Sequence, residues 1–257
     1  EYVRRWLHIR KVIESAVRLK PAVHLRVPCV LASHVLRGFP PGRPFGLEVV
    51  GDPLEVFSLG AFEHALRPFF GWWFARQLRQ QCRSSAAVAY VNQNALPFRY
   101  PPRPGAFTTH YSSVDLPEEA FAIAPRRFHV TRRPKLVFVG TLSRLYKGQD
   151  VLIDAVARCV RRGLNLQLSV VGDGKYREHL MNVAEREGIL SRVEFLGQIG
   201  TRDAVRRALD EGDLFVLPSR TEGLPRAMLE AMARGLPCIG SAVGGIPELL
   251  DRSELVP

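Results

Sequence analysis

In residues 134–257 the apolar positions fall into a regular alternation. Residues 135–140 (KLVFVG) form a short apolar run whose glycine opens a turn, as a buried strand would. Then Val151, Leu152, Ala155, Val156, Cys159 and Val160 recur at helical spacing. The same rhythm predicts strands at 166–172, 193–196, 214–217 and 237–240. Between them it predicts helices near 176–187, 202–209 and 225–234, and a short one starting at Ile246. Short β-branched strands alternating with helices of this length predict βαβ units and a parallel sheet.

The first half is less regular. A helix is expected over residues 1–19, strands at 22–27, 47–50, 88–91 and 107–111, and a long helix at 66–82. That pattern is α/β again, but short of the opening βα units of a doubly wound domain. Residues 116–134 are rich in Pro and Arg and hold no period, so they read as a linker. The expected architecture is two Rossmann-like doubly wound parallel-sheet domains, 1–125 and 126–257, the first of them incomplete. The chain lacks an initiator Met and ends in the apolar run Leu255-Val256-Pro257, so it reads as a piece of a longer protein, its second domain cut short at the C-terminus.

Composition narrows the classes. Apolar residues make up 46% of the 257 and charged residues 24%, a globular balance that argues against disorder. The net charge of +11 is uneven: residues 1–130 hold 17 Lys/Arg against 9 Asp/Glu, the rest 19 against 16. Such a basic half suits nucleic acid, anionic lipid or phosphorylated substrates, and charge alone does not choose among them. No RNP pattern, zinc knuckle or KH loop is present, which speaks against nucleic acid. Cys29, Cys82, Cys159 and Cys238 are far apart and are expected to be buried thiols of a reducing compartment. The seven histidines show no ligand spacing, so no metal site is expected. No apolar run reaches the roughly 18 residues of a spanning helix, and the first residues have no apolar core of a signal peptide.

In a doubly wound sheet ligands bind beyond the carboxyl ends of the strands. There the first loop of the second half carries Arg144 and Lys147 just before a helix, which suits a diphosphate; two solvated cations are the plain alternative. Gly172-Asp173-Gly174 lacks the third glycine of a dinucleotide fingerprint, with Arg177 in its place, and reads as a tight turn. The next loop, Pro218-Ser219-Arg220-Thr221-Glu222-Gly223-Leu224-Pro225, puts Glu222 at the cleft mouth. Pro225 suits the first position of the following helix. Glu230 lies inside the apolar stretch Ala227-Met228-Leu229-Glu230-Ala231-Met232-Ala233, where an acid needs a partner. A carboxylate can accept from two vicinal ribose hydroxyls. For Glu222 the plain alternative is a charge complementing the helix dipole, and for Glu230 a solvated helix position.

Glu222 and Glu230 also make the E-x7-E pattern of retaining GT-B glycosyltransferases, family 4 in particular. The flanks VGTLSRLYKGQDVLIDA, LSVVGDGKYREHL, VEFLGQ, DLFVLPSRTEGLPRAMLEAMARGLPCIGS and VGGIPELL resemble that family in order and spacing. The resemblance implies a metal-independent, retaining hexosyltransferase without a cofactor, using a UDP- or GDP-sugar and a glycan, lipid-linked or small-molecule acceptor. It implies Arg144 and Lys147 on the donor diphosphate, Glu230 on the ribose and Glu222 on the sugar hydroxyls. Gly140, Thr141, Gly223 and Leu224 would line the donor site. Two positions depart from the family: Thr141 stands where many members have Arg, and Pro225 where many have Gly. Residues 24–28, 47–53 and 87–102 resemble the later strands of the family's N-terminal domain. Asp52 is thereby an acceptor-side candidate, against the plain reading of an Asp in a proline turn. A nucleotide-sugar epimerase of the same fold and an inactive nucleotide-binding fragment are the alternatives.

The resemblance further implies cytoplasmic work in cell-surface polysaccharide synthesis. Phe69, Phe70, Trp72, Trp73 and Phe74, followed by Arg76, Arg79 and Arg83, suggest a helix lying peripherally on the inner membrane face. Packing of those aromatics on the sheet is the alternative.

Overall fold

The computed structural model describes residues 6–18, 20, 22–58, 64–112, 114–124, 126 and 133–257. The chain divides into two compact units, the first ending at Ser113 and the second running from Val114 to Pro257.

The first unit contains α1 (Trp6–Arg18), β1 (His24–Val27), α2 (Val30–Arg37), β2 (Gly46–Val49), α3 (Pro53–Val56), α4 (Arg67–Ser84), β3 (Ala87–Tyr90), α5 (Ala95–Arg99) and β4 (Phe107–His110). Its four strands are parallel and lie in the order β1-β2-β3-β4. The sheet runs one way only, as one half of a doubly wound sheet does. Each of β2 and β3 buries alternate residues, Leu47 and Val49 or Val88 and Tyr90. α4 packs through Gly71, Ala75, Leu78 and Cys82, which fall on one helical face. Phe74 stacks on Phe57 with centroids 5.5 Å apart, whereas Phe69 and Trp72 point to solvent. The aromatic residues of this helix are thus divided between packing within the unit and exposure to solvent. The sequence pattern did not reveal α2, α3 or α5.

The second unit contains β5 (Lys135–Val139), α6 (Gln149–Arg161), β6 (Gln167–Val171), α7 (Arg177–Arg186), β7 (Val193–Gly197), α8 (Arg202–Asp210), β8 (Leu214–Leu217), α9 (Arg226–Ala233), β9 (Cys238–Ser241) and β10 (Leu255–Val256). All six strands are parallel, in the order β10-β9-β8-β5-β6-β7. From β5 the chain winds outward through β6 and β7, then returns to β8 on the other side. The order reverses between β5 and β8, and that is where such sheets open a crevice. The core beneath is apolar, with Val137, Phe138, Leu168, Phe215, Leu217, Met228 and Ala231 buried.

Three details differ from expectation. Residues 116–124, read as part of a linker, pack on the second unit, where Ala122 N–H donates to the Ala233 carbonyl at 2.8 Å and Arg234 donates to the Phe121 carbonyl at 3.1 Å. Pro225 is the N-cap of α9 rather than its first turn. Of the cysteines, Cys82 and Cys238 are buried, with burial raising both thiols to about 12, but Cys29 is exposed.

Candidate donor site

Four loops meet at the carboxyl edge of the second sheet, and glycines let their backbones touch. Gly172 and Gly174 have φ of 141° and 154°, and a Cβ on either would overlap the backbone of residues 140–143. The Asp173 carbonyl accepts from Leu142 N–H at 2.9 Å, and the Leu142 carbonyl accepts from Tyr176 N–H at 3.0 Å. The G-D-G stretch is thus a tight turn, as read, and it also supports the cation-bearing loop. On the other side Gly148 (φ 73°) lies against the Pro218 carbonyl, and Gly244 (φ 54°) against the Glu222 carbonyl. Gly245 N–H closes the set by donating to the Gly223 carbonyl at 2.8 Å.

On this scaffold Lys147 and Glu222 meet. The Lys147 ammonium donates to Glu222 Oε1, and the side chains are only 16% and 7% exposed. Ser219 donates to the same carboxylate oxygen at 2.8 Å, and the Lys147 ammonium sits 5.3 Å from the Tyr146 ring centre. Lys147 ends a short 3-10 turn just before α6, so its charge lies at the positive end of a helix of 13 residues. Glu222 thus has a cation and a hydroxyl as partners in the loop before α9.

Arg144 is exposed, and its guanidinium has no hydrogen bond or ion pair among the described residues. Thr141 is exposed too, its hydroxyl accepting from Ser143 N–H at 3.1 Å. Gly140 follows β5 directly, and its N–H donates to the Val171 carbonyl at 2.9 Å. Gly223 and Leu224 are half-buried between Glu222 and the start of α9.

Glu230 stands on a different wall. It is half-buried on α9 and lines a small cavity with Arg202, Val205 and Arg206 of α8 and with Asp115, Leu116 and Pro117. Burial raises its carboxyl above the ordinary range, partly opposed by the charges of Arg226, Arg202 and Arg206. The acid in this apolar helix thus lies in the field of three arginines, which only partly offset its burial. Sequence reasoning did not pick out those arginines, since α8 reads as an ordinary amphipathic helix.

In the first unit, Asp52 is 5% exposed at the turn after β2. It caps α3 by accepting from Leu54 N–H at 2.9 Å, and it also accepts from Arg99 and from the Tyr100 hydroxyl. Among the described residues no group of three or more His, Cys, Asp or Glu is placed to hold a metal ion.

A doubly wound six-stranded parallel sheet, preceded along the chain by a second parallel α/β unit, is a fold of the GT-B type. Residues 133–256 match the family described as Glycosyl transferases group 1. It is 26% identical over 260 residues to Protein CapJ of Staphylococcus aureus, covering 96% of this chain and 62% of that protein. It is 36% identical over 139 residues to a GDP-mannose-dependent alpha-(1-6)-phosphatidylinositol monomannoside mannosyltransferase of Mycobacterium tuberculosis, covering 50% of this chain and 35% of that one. Among solved structures, Anabaena HepE in complex with UDP and glucose superposes with a TM-score of 0.67 at 20% identity, over 96% of this chain and 66% of that one. The chain thus spans from about a third to about two thirds of these proteins.

Proposed function

We propose that the chain provides the donor site of a glycosyltransferase that moves a hexose from a UDP- or GDP-sugar to a glycan or lipid-linked acceptor, with retention and without a metal. The observation that carries this reading is the Lys147–Glu222 pair at the reversal point of the second sheet. Lys147 and Arg144 meet the diphosphate, backed by the N-terminus of α6, and stabilise the charge that develops as the C1–O bond breaks. The acceptor oxygen bonds to C1, and its proton leaves with the diphosphate. Glu222, released from Lys147 by the phosphates, accepts hydrogen bonds from the sugar hydroxyls. Glu230 accepts from the ribose hydroxyls, while Gly140, Thr141, Gly223 and Leu224 line the donor. The relatives' names, one GDP-mannose-dependent and one in complex with UDP and glucose, support this donor class without choosing the nucleotide.

In the first unit Asp52 belongs to the acceptor side by its place after β2, where it holds Arg99 and Tyr100. The exposed face of α4 supports a peripheral contact with an anionic membrane on the cytoplasmic side. Phe69 and Trp72 are each 55% exposed there, and Arg76 and Arg83 follow on the same face. No helix among the described residues is long and apolar enough to cross a membrane.

Thermal unfolding of the chain with UDP, GDP, ADP and TDP tests the donor reading. One nucleotide is expected to raise the transition temperature, with the effect lost in Lys147→Ala and Glu230→Ala. A folded chain that none of the four stabilises would refute it. Binding to vesicles of anionic lipid, lost on replacing Phe69, Trp72, Arg76 and Arg83, tests the membrane contact.

A further inference from the structure

We infer that Arg220 is a positioning residue for Lys147, locked in place by Asp150; the inference rests on the donor-site reading above. Arg220 lies two residues before Glu222 on the loop after β8, yet its side chain serves the opposite loop. Two guanidinium nitrogens each lie 2.8 Å from a different Asp150 oxygen. The first of them also donates to the Leu145 carbonyl at 2.5 Å, and the Arg220 backbone N–H donates to the Tyr146 carbonyl at 2.7 Å. One residue therefore grips the loop on both sides of Lys147: at 145 and 146 before it, and at 150 in the first turn of α6.

The grip has a counterpart on the inner side. Gln149 is 2% exposed, and its amide donates to the carbonyls of Thr141 at 2.6 Å and Arg144 at 3.1 Å. Its Oε1 is buried without a hydrogen-bond partner, so the side chain is committed to shaping this loop. Gly148 is the pivot, in a left-handed conformation against the Pro218 carbonyl.

The chemistry explains the division of labour. Lysine is a point charge on a flexible stem, and its use against a diphosphate depends on how far its backbone has been set beforehand. Arginine has the planar fork that matches both oxygens of a carboxylate while still reaching a carbonyl. In this half-buried pair, 26% and 29% exposed, two guanidinium nitrogens are already engaged by Asp150 and the Leu145 carbonyl, so Arg220 acts through Lys147. Burial alone would raise the Asp150 carboxyl; the hydrogen bonds and charge of Arg220 more than offset this and hold it below its ordinary value.

A double-mutant cycle decides it, read by calorimetric titration of UDP and of GDP into the full 257-residue chain. Lys147→Ala and Arg220→Gln are each expected to weaken the better nucleotide by about tenfold, and the double variant no further than Lys147→Ala alone. Arg220→Lys keeps the charge but loses the fork and is expected not to restore affinity. A purely structural effect would instead persist at full size in the Lys147→Ala background, and that additivity overturns the inference. So does unchanged affinity in Arg220→Gln when Lys147→Ala is weakened. If neither nucleotide binds the folded chain, or Lys147→Ala binds as well as the parent, the donor-site reading fails and takes the inference with it. Should Arg220→Gln not fold, Asp150→Asn carries the same cycle with the same outcomes.

Discussion

Glu222 and Lys147 neutralise one another across the reversal line of the second sheet, one reaching from the loop after β8 and the other from the loop after β5. Neither charge has much water to fall back on. A diphosphate entering the crevice must compete with Glu222 for the ammonium, and its success would release the carboxylate toward the sugar.

Removing that competition has a readable effect. Glu222→Gln is expected to bind UDP or GDP a few-fold more tightly than the parent, because the ammonium no longer shares itself with a carboxylate, and to transfer sugar more slowly. Lys147→Ala is expected to do the reverse for binding. It also leaves a mostly buried carboxylate without its cation, which should cost about 3 kcal/mol in chemical denaturation. Equal nucleotide affinity in all three proteins would rule out the competition.

Glu230 makes stability depend on pH in the sense opposite to most carboxylates. Its folded-state pKa is raised, by burial first, with Arg226, Arg202 and Arg206 opposing. Between its ordinary value near 4.5 and the raised one, the folded chain binds more proton than the unfolded chain. Its contribution is thus full at low pH and is lost as pH rises through the folded pKa. Glu230→Gln is expected to flatten that decline in denaturation midpoints measured across the range, while weakening nucleotide binding. A variant whose pH profile overlays the parent's would show that Glu230 is not the source.

The glycines of the site should be far less replaceable than glycines of similar conformation elsewhere. Gly148→Ala and Gly172→Ala each place a Cβ inside a carbonyl of a neighbouring loop. Each is expected to cost roughly 3 kcal/mol or more, or to prevent folding. At Gly163, φ is 91° and nothing lies within 4 Å of the added atom, so Gly163→Ala should cost only about 1 kcal/mol of backbone strain. Urea unfolding of the three variants side by side makes the comparison.

Asp52 offers a test confined to the first unit. Its carboxylate serves the α3 cap, Arg99 and the Tyr100 hydroxyl together. Asp52→Ala is expected to destabilise the unit by about 2 kcal/mol, since it leaves the buried Tyr100 hydroxyl without this acceptor and removes the α3 cap. Protease sensitivity of residues near α5 would report it. Asp52→Asn, which retains acceptors for the cap and the hydroxyl, should recover much of the loss.

Most of the second sheet was legible in the sequence because β5 and β6 are buried on both faces and β8 is at least half-buried on both. Such strands read as unbroken apolar runs, as KLVFV and LFVL do, and the helices between them carry a clear period. The first unit was harder. Its helices α3 and α5 have only 4 and 5 residues, too few to show a period, and α2 has 8. The linker reading of 116–134 failed over 116–124 for a related reason: that stretch docks through a carbonyl that accepts from Arg234 and through the Ala122 N–H, which donates to the Ala233 carbonyl of α9, and a backbone contact leaves no side-chain pattern.

By itself the sequence determined the α/β class, the order of the strands along the chain and the residues with chemistry to offer, among them Lys147, Glu222 and Glu230. These follow from local periodicity, turn chemistry and a run of motifs, all properties of neighbouring residues. Only the tertiary structure decided which of them meet. It paired Lys147 with Glu222 and Arg220 with Asp150, 75 and 70 residues apart, and gave Glu230 a setting of arginines from α8. The physical reason is the reversal of strand order, which brings the ends of β5 and β8 side by side, a relation between distant segments that no local pattern encodes.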